Sequence, residues 1–265
     1  MDSKDNLSNK IPKTHPRYES LKYRHKIIDG MKNLLVAEAG LIAHGRGECF
    51  DYILGEKTTF QAKLAMKAAI ATLMLAKNPV ISVNGNVAAL VPDELATLAN
   101  ILKIPLEINL FYQKKGRIKA IKKVLKKAGA EDIRGINKKK MIELHGLESN
   151  RRKVEFIGKA DVILVPLEDG DRTEALKRLN KTVIAIDLNP ISRTALWADI
   201  TIIDNIIRAI PEMINIVEEL KLLDRNQLKA IVTNFNNREN IQISLELIIK
   251  YIEKQKEEAF NILNL

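Results

Sequence analysis

The sequence predicts a doubly wound α/β fold, a mostly parallel sheet flanked by helices, with helical additions at both termini. Three observations predict it. Short β-branched runs alternate with segments of helical spacing from residue 80 onward. The runs 162–165, 182–186 and 200–203 are apolar throughout, as in strands covered on both faces. Each gives way to polar residues: Glu168-Asp169-Gly170-Asp171-Arg172-Thr173, Asp187-Leu188-Asn189, and Asp204-Asn205. Ligands of open α/β sheets sit outside the carboxyl ends of the strands, so these three ends are expected to serve one site.

Taken in order, residues 1–12 read as a disordered lead. Tyr18, Leu21, Tyr23, Ile27, Ile28, Met31, Leu34 and Leu35 recur at mostly three- and four-residue steps, which predicts a helix over 17–36. Gly40 would end it or mark the next turn. The run Leu41-Ile42-Ala43 then enters His44-Gly45-Arg46-Gly47-Glu48, read as a glycine-spaced polar loop. Thr58 or Thr59 caps an alanine-rich helix to about residue 76. A strand at 80–83 leads through Asn84-Gly85-Asn86 to a helix ending near Leu102, with Pro92, Asp93 and Glu94 suited to a first turn. Residues 106–111 are the next strand. The helix over 117–128 carries Ile118, Ile121, Val124 and Leu125 on one face and lysines on the other, with Gly129 as its stop. Residues 131–159 are charged, with one strand near Ile133. After Asn205, helices are expected over 206–222, from Asp224 or Asn226 to 234, and over 240–262. Residues 13–222 form the expected α/β domain and 223–265 a helical extension packed on it.

A chain of 265 residues, 46% hydrophobic and 29% charged, has the composition of a soluble globular protein. The single cysteine, Cys49, excludes an intramolecular disulfide framework and fits a reducing compartment. The polar N-terminus is no signal peptide, and no apolar run approaches the ~20 residues that span a bilayer. The expected location is the cytoplasm, with no membrane partner. Residues 113–159 hold 16 Lys+Arg against 5 Asp+Glu, so the net charge of +10 is a feature of that segment. A nucleic-acid or phospho-ligand binding protein using it is the alternative function, beside the plain reading of a solvated helix face. Phe156 alone is aromatic between Lys114 and Lys159, a poor supply for stacking bases, which argues against nucleic acid.

The usual phosphate and nucleophile motifs are absent: no G-x-x-x-x-G-K-[ST], no G-x-G-x-x-G after a strand, no G-x-S-x-G. Four signals remain. Asn84-Gly85-Asn86 offers amides and a helix start to an anion, or is a tight turn. Glycines around Arg46 free its guanidinium for a phosphate, and His44 is either a base, a hydrogen-bond donor or a capped loop residue. Glu168, Asp169 and Asp171 could hold Mg²⁺ or an ammonium, with Arg172 on a phosphate at the helix start, or simply cap that helix. Asp187 and Asn189 suit ribose hydroxyls and Arg193 a phosphate. Trp197 and Cys49 read as packing residues.

These stretches resemble the archaeal 4-phosphopantoate–β-alanine ligase (phosphopantothenate synthetase) family. The resemblance runs over about 11–215. It rests on Ile11 to Tyr18, Ala39 to Glu48, Ser82 to Pro92, Val165 to Leu176, Ile186 to Pro190 with Ser192-Arg193-Thr194, and Ala198 to Ile206. It implies a Rossmann-like homodimer that condenses 4-phosphopantoate with β-alanine through an acyl-adenylate, turning ATP into AMP and pyrophosphate with Mg²⁺. It places ATP contacts on Arg24, Arg46, Asp187, Leu188, Asn189, Arg193, Thr194, Asn205 and Ile206. The catalytic candidates are His44, Arg46, Asn84, Asn86, Asp171 and Arg172, and no metal ligand is assigned.

Overall fold

A computed structural model describes residues 11–15, 17–110, 114–136, 142–143 and 153–258. The expected lead up to residue 10, Phe111 and the end of the closing helix beyond 258 lie outside the described residues. Among the described residues eight strands run in chain order: β1 (Pro79–Val83), β2 (Leu106–Ile108), β3 (Ile133–Arg134), β4 (Ile142–Glu143), β5 (Lys153–Val154), β6 (Val162–Pro166), β7 (Thr182–Ile186) and β8 (Ile200–Ile202). Six form one sheet in the order β3-β2-β1-β6-β7-β8, with every pairing parallel, and β4 and β5 pair antiparallel apart from it. That order is Rossmann-like, and its direction reverses between β1 and β6.

Period-two alternation divides the core. Val80, Ile163, Val165, Val183 and Ala185 point to one face, where Ala175 and Leu176 of α7 (Gly170–Arg178) cover them. Ile81, Leu164, Ile184, Ile186 and Ile202 point to the other, under α3 (Phe60–Leu75) and α9 (Ile206–Leu220). Thr59 caps α3 by accepting from Ala62 N. The first helix, α1 (Tyr18–Lys32), stops before the predicted end, because Leu34 takes a left-handed φ of 62° and turns Leu35 and Val36 into the core. The short α4 (Gly85–Leu90) and α5 (Pro92–Leu102) connect β1 to β2. In α6 (Arg117–Lys127), Ile121 and Leu125 are buried while Lys119, Lys123 and Lys126 face solvent. After α8 (Arg193–Trp197) and β8, α10 (Arg225–Thr233) packs on α3, and α11 (Asn237–Glu258) packs on α2 (Glu38–Leu54), α3 and β8. The closing helix begins at Asn237, before the expected Asn240, because Asn237 and Asn240 hydrogen-bond the backbone of Thr201. No helix among the described residues is long and apolar enough to cross a membrane.

The main correction concerns residues 38–54. They form helix α2, and the predicted loop His44–Glu48 is its middle. Each interior glycine costs a helix about 1 kcal/mol, yet close packing holds it. A Cβ on Gly40 would lie 2.4 Å from Asn86 Oδ1, whereas one on Gly47 would make only an ordinary contact, 3.7 Å from Leu188 Cδ1. The C-terminal turn is fixed electrostatically: Arg208 reaches Asp51 at 2.6 Å and Asp204 at 2.7 Å, and Asn205 donates to Asp51 at 2.8 Å. Trp197 and Cys49, read as packing residues, are both exposed.

Candidate active site

The carboxyl ends of β6, β7 and β8 open into one cavity of about 430 Å³. Leu167 to Gly170, Asp187 to Asn189, Ser192 to Thr194, and Asn205-Ile206 form its floor. Ala43, Arg46, Gly47 and Phe50, spaced three and four apart on α2, form the opposite wall. A smaller crevice of about 260 Å³ adjoins it where the strand order reverses, and Asn86, Leu167, Glu168 and Asp169 border both. A third cavity, of about 650 Å³, lies beyond His44, Glu48 and Asn205, against α1 and the start of α9.

Local caps build the floor. Asp169 accepts from Arg172 N at 2.9 Å, Ser192 from Ala195 N at 2.9 Å, and Asn205 from Ile207 N at 3.3 Å. Between β6 and Asp169, Leu167 sits at a φ of 53°, a conformation a non-glycine residue adopts only under constraint. The constraint is Asn84, whose Nδ2 donates to Pro166 O and Leu167 O at 3.1 and 2.9 Å. Its Oδ1 meanwhile caps α4 through Asn86 N and Val87 N. The Asn84 amide is therefore engaged within the protein, at the edge of the smaller crevice.

Charge is distributed unevenly over the walls. Asp187 accepts from Asn189 N at 2.9 Å and from the Ser192 hydroxyl at 2.5 Å; burial raises its pKa, and these bonds and the Arg46 charge oppose the rise. Arg46 is exposed to the cavity and has no hydrogen bond or ion pair among the described residues. Arg193 is clamped, with Asp171 at 2.6 Å on one nitrogen and Glu174 at 2.5 Å on another. Gly170 permits that approach, since a Cβ there would lie 2.6 Å from Arg193 Cβ. His44 Nε2 lies 4.0 Å from Glu48, without a hydrogen bond among the described residues, and burial lowers its pKa, opposed by Glu48 and reinforced by Arg24. Arg24 and the Ser20 hydroxyl both donate to Glu48, at 3.3 and 3.2 Å.

Beneath the floor, Glu168 and Arg172 form a buried pair at 3.5 Å. Burial pushes the Glu168 carboxyl up to about 7, Asp169 adds to the rise and Arg172 opposes it. Arg172 is 2% exposed, and its Nε and one Nη have no hydrogen-bond partner among the described residues.

The cavity at the strand ends thus brings together His44, Arg46, Asn86, Asp187, Leu188, Asn189, Arg193, Thr194, Asn205 and Ile206. Four predicted residues stand off its lining: Arg24 behind Glu48, Asn84 under the turn, Asp171 on Arg193, and Arg172 in the interior beside Glu168. The predicted approach of Arg172 to a phosphate does not match its burial. Sequence reading missed Arg208, Asp51 and Glu174. The four-residue spacings of Asp204 with Arg208 and of Glu174 with Arg178 were the local signs, while Asp51 with Arg208 and Glu174 with Arg193 meet only across the fold.

A family model described as phosphopantothenate/pantothenate synthetase matches residues 61–251. A protein named 4-phosphopantoate–β-alanine ligase from Thermococcus onnurineus is 58% identical over 231 residues, covering 86% of this chain and 88% of its own. A protein of the same name from Methanosarcina mazei is 45% identical over 94% of this chain and 98% of its own, and one from Methanospirillum hungatei 43% identical over 90% and 96%.

Proposed function

The chain belongs to the phosphopantothenate/pantothenate synthetase family, and on that premise we propose that it is a 4-phosphopantoate–β-alanine ligase. The carboxylate of 4-phosphopantoate attacks the α-phosphate of ATP and expels pyrophosphate. The β-alanine amine then attacks the acyl-adenylate, AMP leaves, and 4′-phosphopantothenate is the product. The observation that carries this reading is near full-length kinship with ligases of that name, joined to a cavity outside three parallel strand ends.

In this reading ATP lies in the cavity at the ends of β6, β7 and β8. Asp187 and Asn189 take the ribose, Arg46 and Arg193 approach the phosphates, and Arg24 reaches them by leaving Glu48. Leu188, Thr194, Asn205 and Ile206 complete the nucleotide contacts. The pentavalent α-phosphate gains negative charge on its oxygens, which guanidinium groups stabilise best in a site from which water is excluded. The pKa of His44 is lowered from 6.5, so its ring is neutral at pH 7 and can meet a phosphate or polyphosphate hydroxyl as a hydrogen-bond partner. The pantoyl group occupies the smaller crevice beside Asn86, where Ala43, Leu110 and Leu167 offer apolar surface.

Mg²⁺ fits as an ion carried by the nucleotide. No group of three or more His, Cys, Asp or Glu side chains among the described residues could hold a metal by itself. Mg²⁺ normally combines one or two carboxylates with phosphates and water, and Glu48 and Asp169 border the cavity in position for that part. When bound, the ion neutralises polyphosphate charge. A homodimer working in the cytoplasm completes the reading; exposed Phe60, Ile191, Leu196 and Ile249 offer apolar surface to a second copy. Incubation with ATP, 4-phosphopantoate and β-alanine, followed by phosphorus NMR, tests the function. AMP with pyrophosphate is expected; ADP with phosphate, or no amide product, would contradict it.

A further inference from the structure

We propose that Arg117 binds the phosphate of 4-phosphopantoate and so makes the enzyme select the phosphorylated acid over plain pantoate, an assignment that rests on the ligase reading. Three connected spaces carry the inference. Beyond the smaller crevice lies a further cavity of about 410 Å³, with Met31, Leu34, Glu38 and Lys114 on its wall. Ala37, Ala39 and Arg117 border both it and the crevice, whereas Glu168 and Asp169 border both the crevice and the cavity at the strand ends. Arg117 and the acidic pair therefore mark opposite ends of the crevice. Among the described residues Arg117 is the one basic residue on its wall.

Local structure holds the guanidinium in place. Arg117 opens α6, is 5% exposed, and donates from one Nη to Leu35 O at 2.7 Å. Gly85 makes room for it, since a Cβ there would lie 2.6 Å from the same nitrogen and closer still to Leu35 O. The Asn84-Gly85-Asn86 turn, whose amides suggested an anion site, thus brings up a guanidinium instead. Asn84 donates to Pro166 O and Leu167 O, and Asn86 donates to Gly40 O at 2.9 Å. Burial opposes the Arg117 charge, and a bound anion offsets that cost.

The shape of the acid matches this polarity. 4-Phosphopantoate carries an anion at each end and a dimethyl carbon between them. Its carboxylate must meet the α-phosphate of ATP at the strand ends. Its phosphate is thereby directed to the far end of the crevice, away from Glu168 and Asp169 and toward Arg117. The methyl groups then lie against Ala39, Ala43, Leu110 and Leu167. β-Alanine has an anion but no branch to fill that stretch. A phosphate accepts two parallel N–H bonds from a planar guanidinium, and pantoate offers only a neutral hydroxyl at the same place.

The test sets 4-phosphopantoate against pantoate in the full-length wild-type and Arg117→Met proteins, by calorimetric binding and by steady-state kinetics. Wild type is expected to bind the phosphorylated acid ~10²-fold or more tighter than pantoate, and the variant to prefer it by less than about tenfold. The KM for 4-phosphopantoate should rise about tenfold or more, while those for ATP and β-alanine stay within about threefold. An undiminished preference, or an equal loss of affinity for all three substrates, would overturn the assignment. A rise confined to β-alanine would overturn it too, by placing that substrate's carboxylate on Arg117. If Arg117→Met fails to fold, Arg117→Lys, which keeps the charge without the fork, must still narrow the preference by about tenfold. A wild-type measurement stands beside the variants: 4-phosphopantoate, and not pantoate, should protect residues 114–121 from hydrogen exchange, and equal or absent protection there contradicts the assignment. Wild-type protein that yields AMP and pyrophosphate keeps the ligase reading whatever the variants do, whereas ADP or no amide product removes that reading and this assignment with it.

Discussion

Arg46 and Arg193 face one cavity from opposite walls and are held in opposite ways. Arg193 lies between Asp171 and Glu174 at 2.6 and 2.5 Å, whereas Arg46 has no hydrogen bond or ion pair among the described residues and reaches only Asp187, through its field. A clamped guanidinium is already ordered and must exchange partners to meet a phosphate. An open one keeps its full donor set and loses rotamer freedom on binding. The walls differ in the same sense. The helix starts in the floor are capped by side chains two or three residues away, while α2 is fixed across the fold, at Asp51 by Arg208 and at Gly40 by Asn86. A floor capped locally, with its Leu167 turn held by Asn84, paired with a wall anchored across the fold lets the wall adjust to the nucleotide without disturbing the sheet.

Substitutions can break that contrast, beginning with the anchor. Arg208→Ala strands the buried carboxylates of Asp51 and Asp204, and should cost about 3–5 kcal/mol in chemical denaturation, with hydrogen exchange quickened across α2 before the sheet. Arg46→Ala should lose ~10²–10³ in turnover while leaving the denaturation midpoint unchanged, because nothing in the fold leans on it. Near-normal turnover would remove Arg46 from the reacting phosphates.

The floor carries its own signature in pH. The Glu168 carboxyl titrates at about 7 in the folded protein against an ordinary 4.5, so the folded state binds its proton more tightly. Stability should therefore fall as pH rises from about 4.5 to about 7, by at most about 3 kcal/mol, and this slope should vanish in Glu168→Gln. The smallest effect belongs to the clamp. Glu174→Gln and Asp171→Asn should each change the KM for ATP two- to fivefold with little effect on kcat, and leave the denaturation midpoint nearly unchanged because these pairs are exposed.

The sheet was legible because continuous β-branched runs have few alternatives under two helix layers, and β6, β7 and β8 fall where Val162, Thr182 and Ile200 open their runs. The polar residues following those runs fall on one rim for the same reason. What stayed illegible was set by tertiary contact. Gly45 and Gly47 made α2 look like a loop, because propensity says nothing of the tertiary contacts that hold the helix, Arg208 on Asp51 and Asn86 against Gly40. Arg172 and Glu168 looked exposed because a charged helix start usually is, and only the packing of α7 buries them. Asn84 looked like a ligand because its amide partners, Pro166 O and Leu167 O, lie 82 and 83 residues away.

Hydrogen–deuterium exchange with and without Mg·ATP tests most directly that the nucleotide binds between α2 and the strand ends. Protection is predicted in 40–54, 166–173, 187–194 and 204–207, with 225–258 unchanged. Protection confined to residues 13–23 and the cavity they line, or absent from α2, would contradict it.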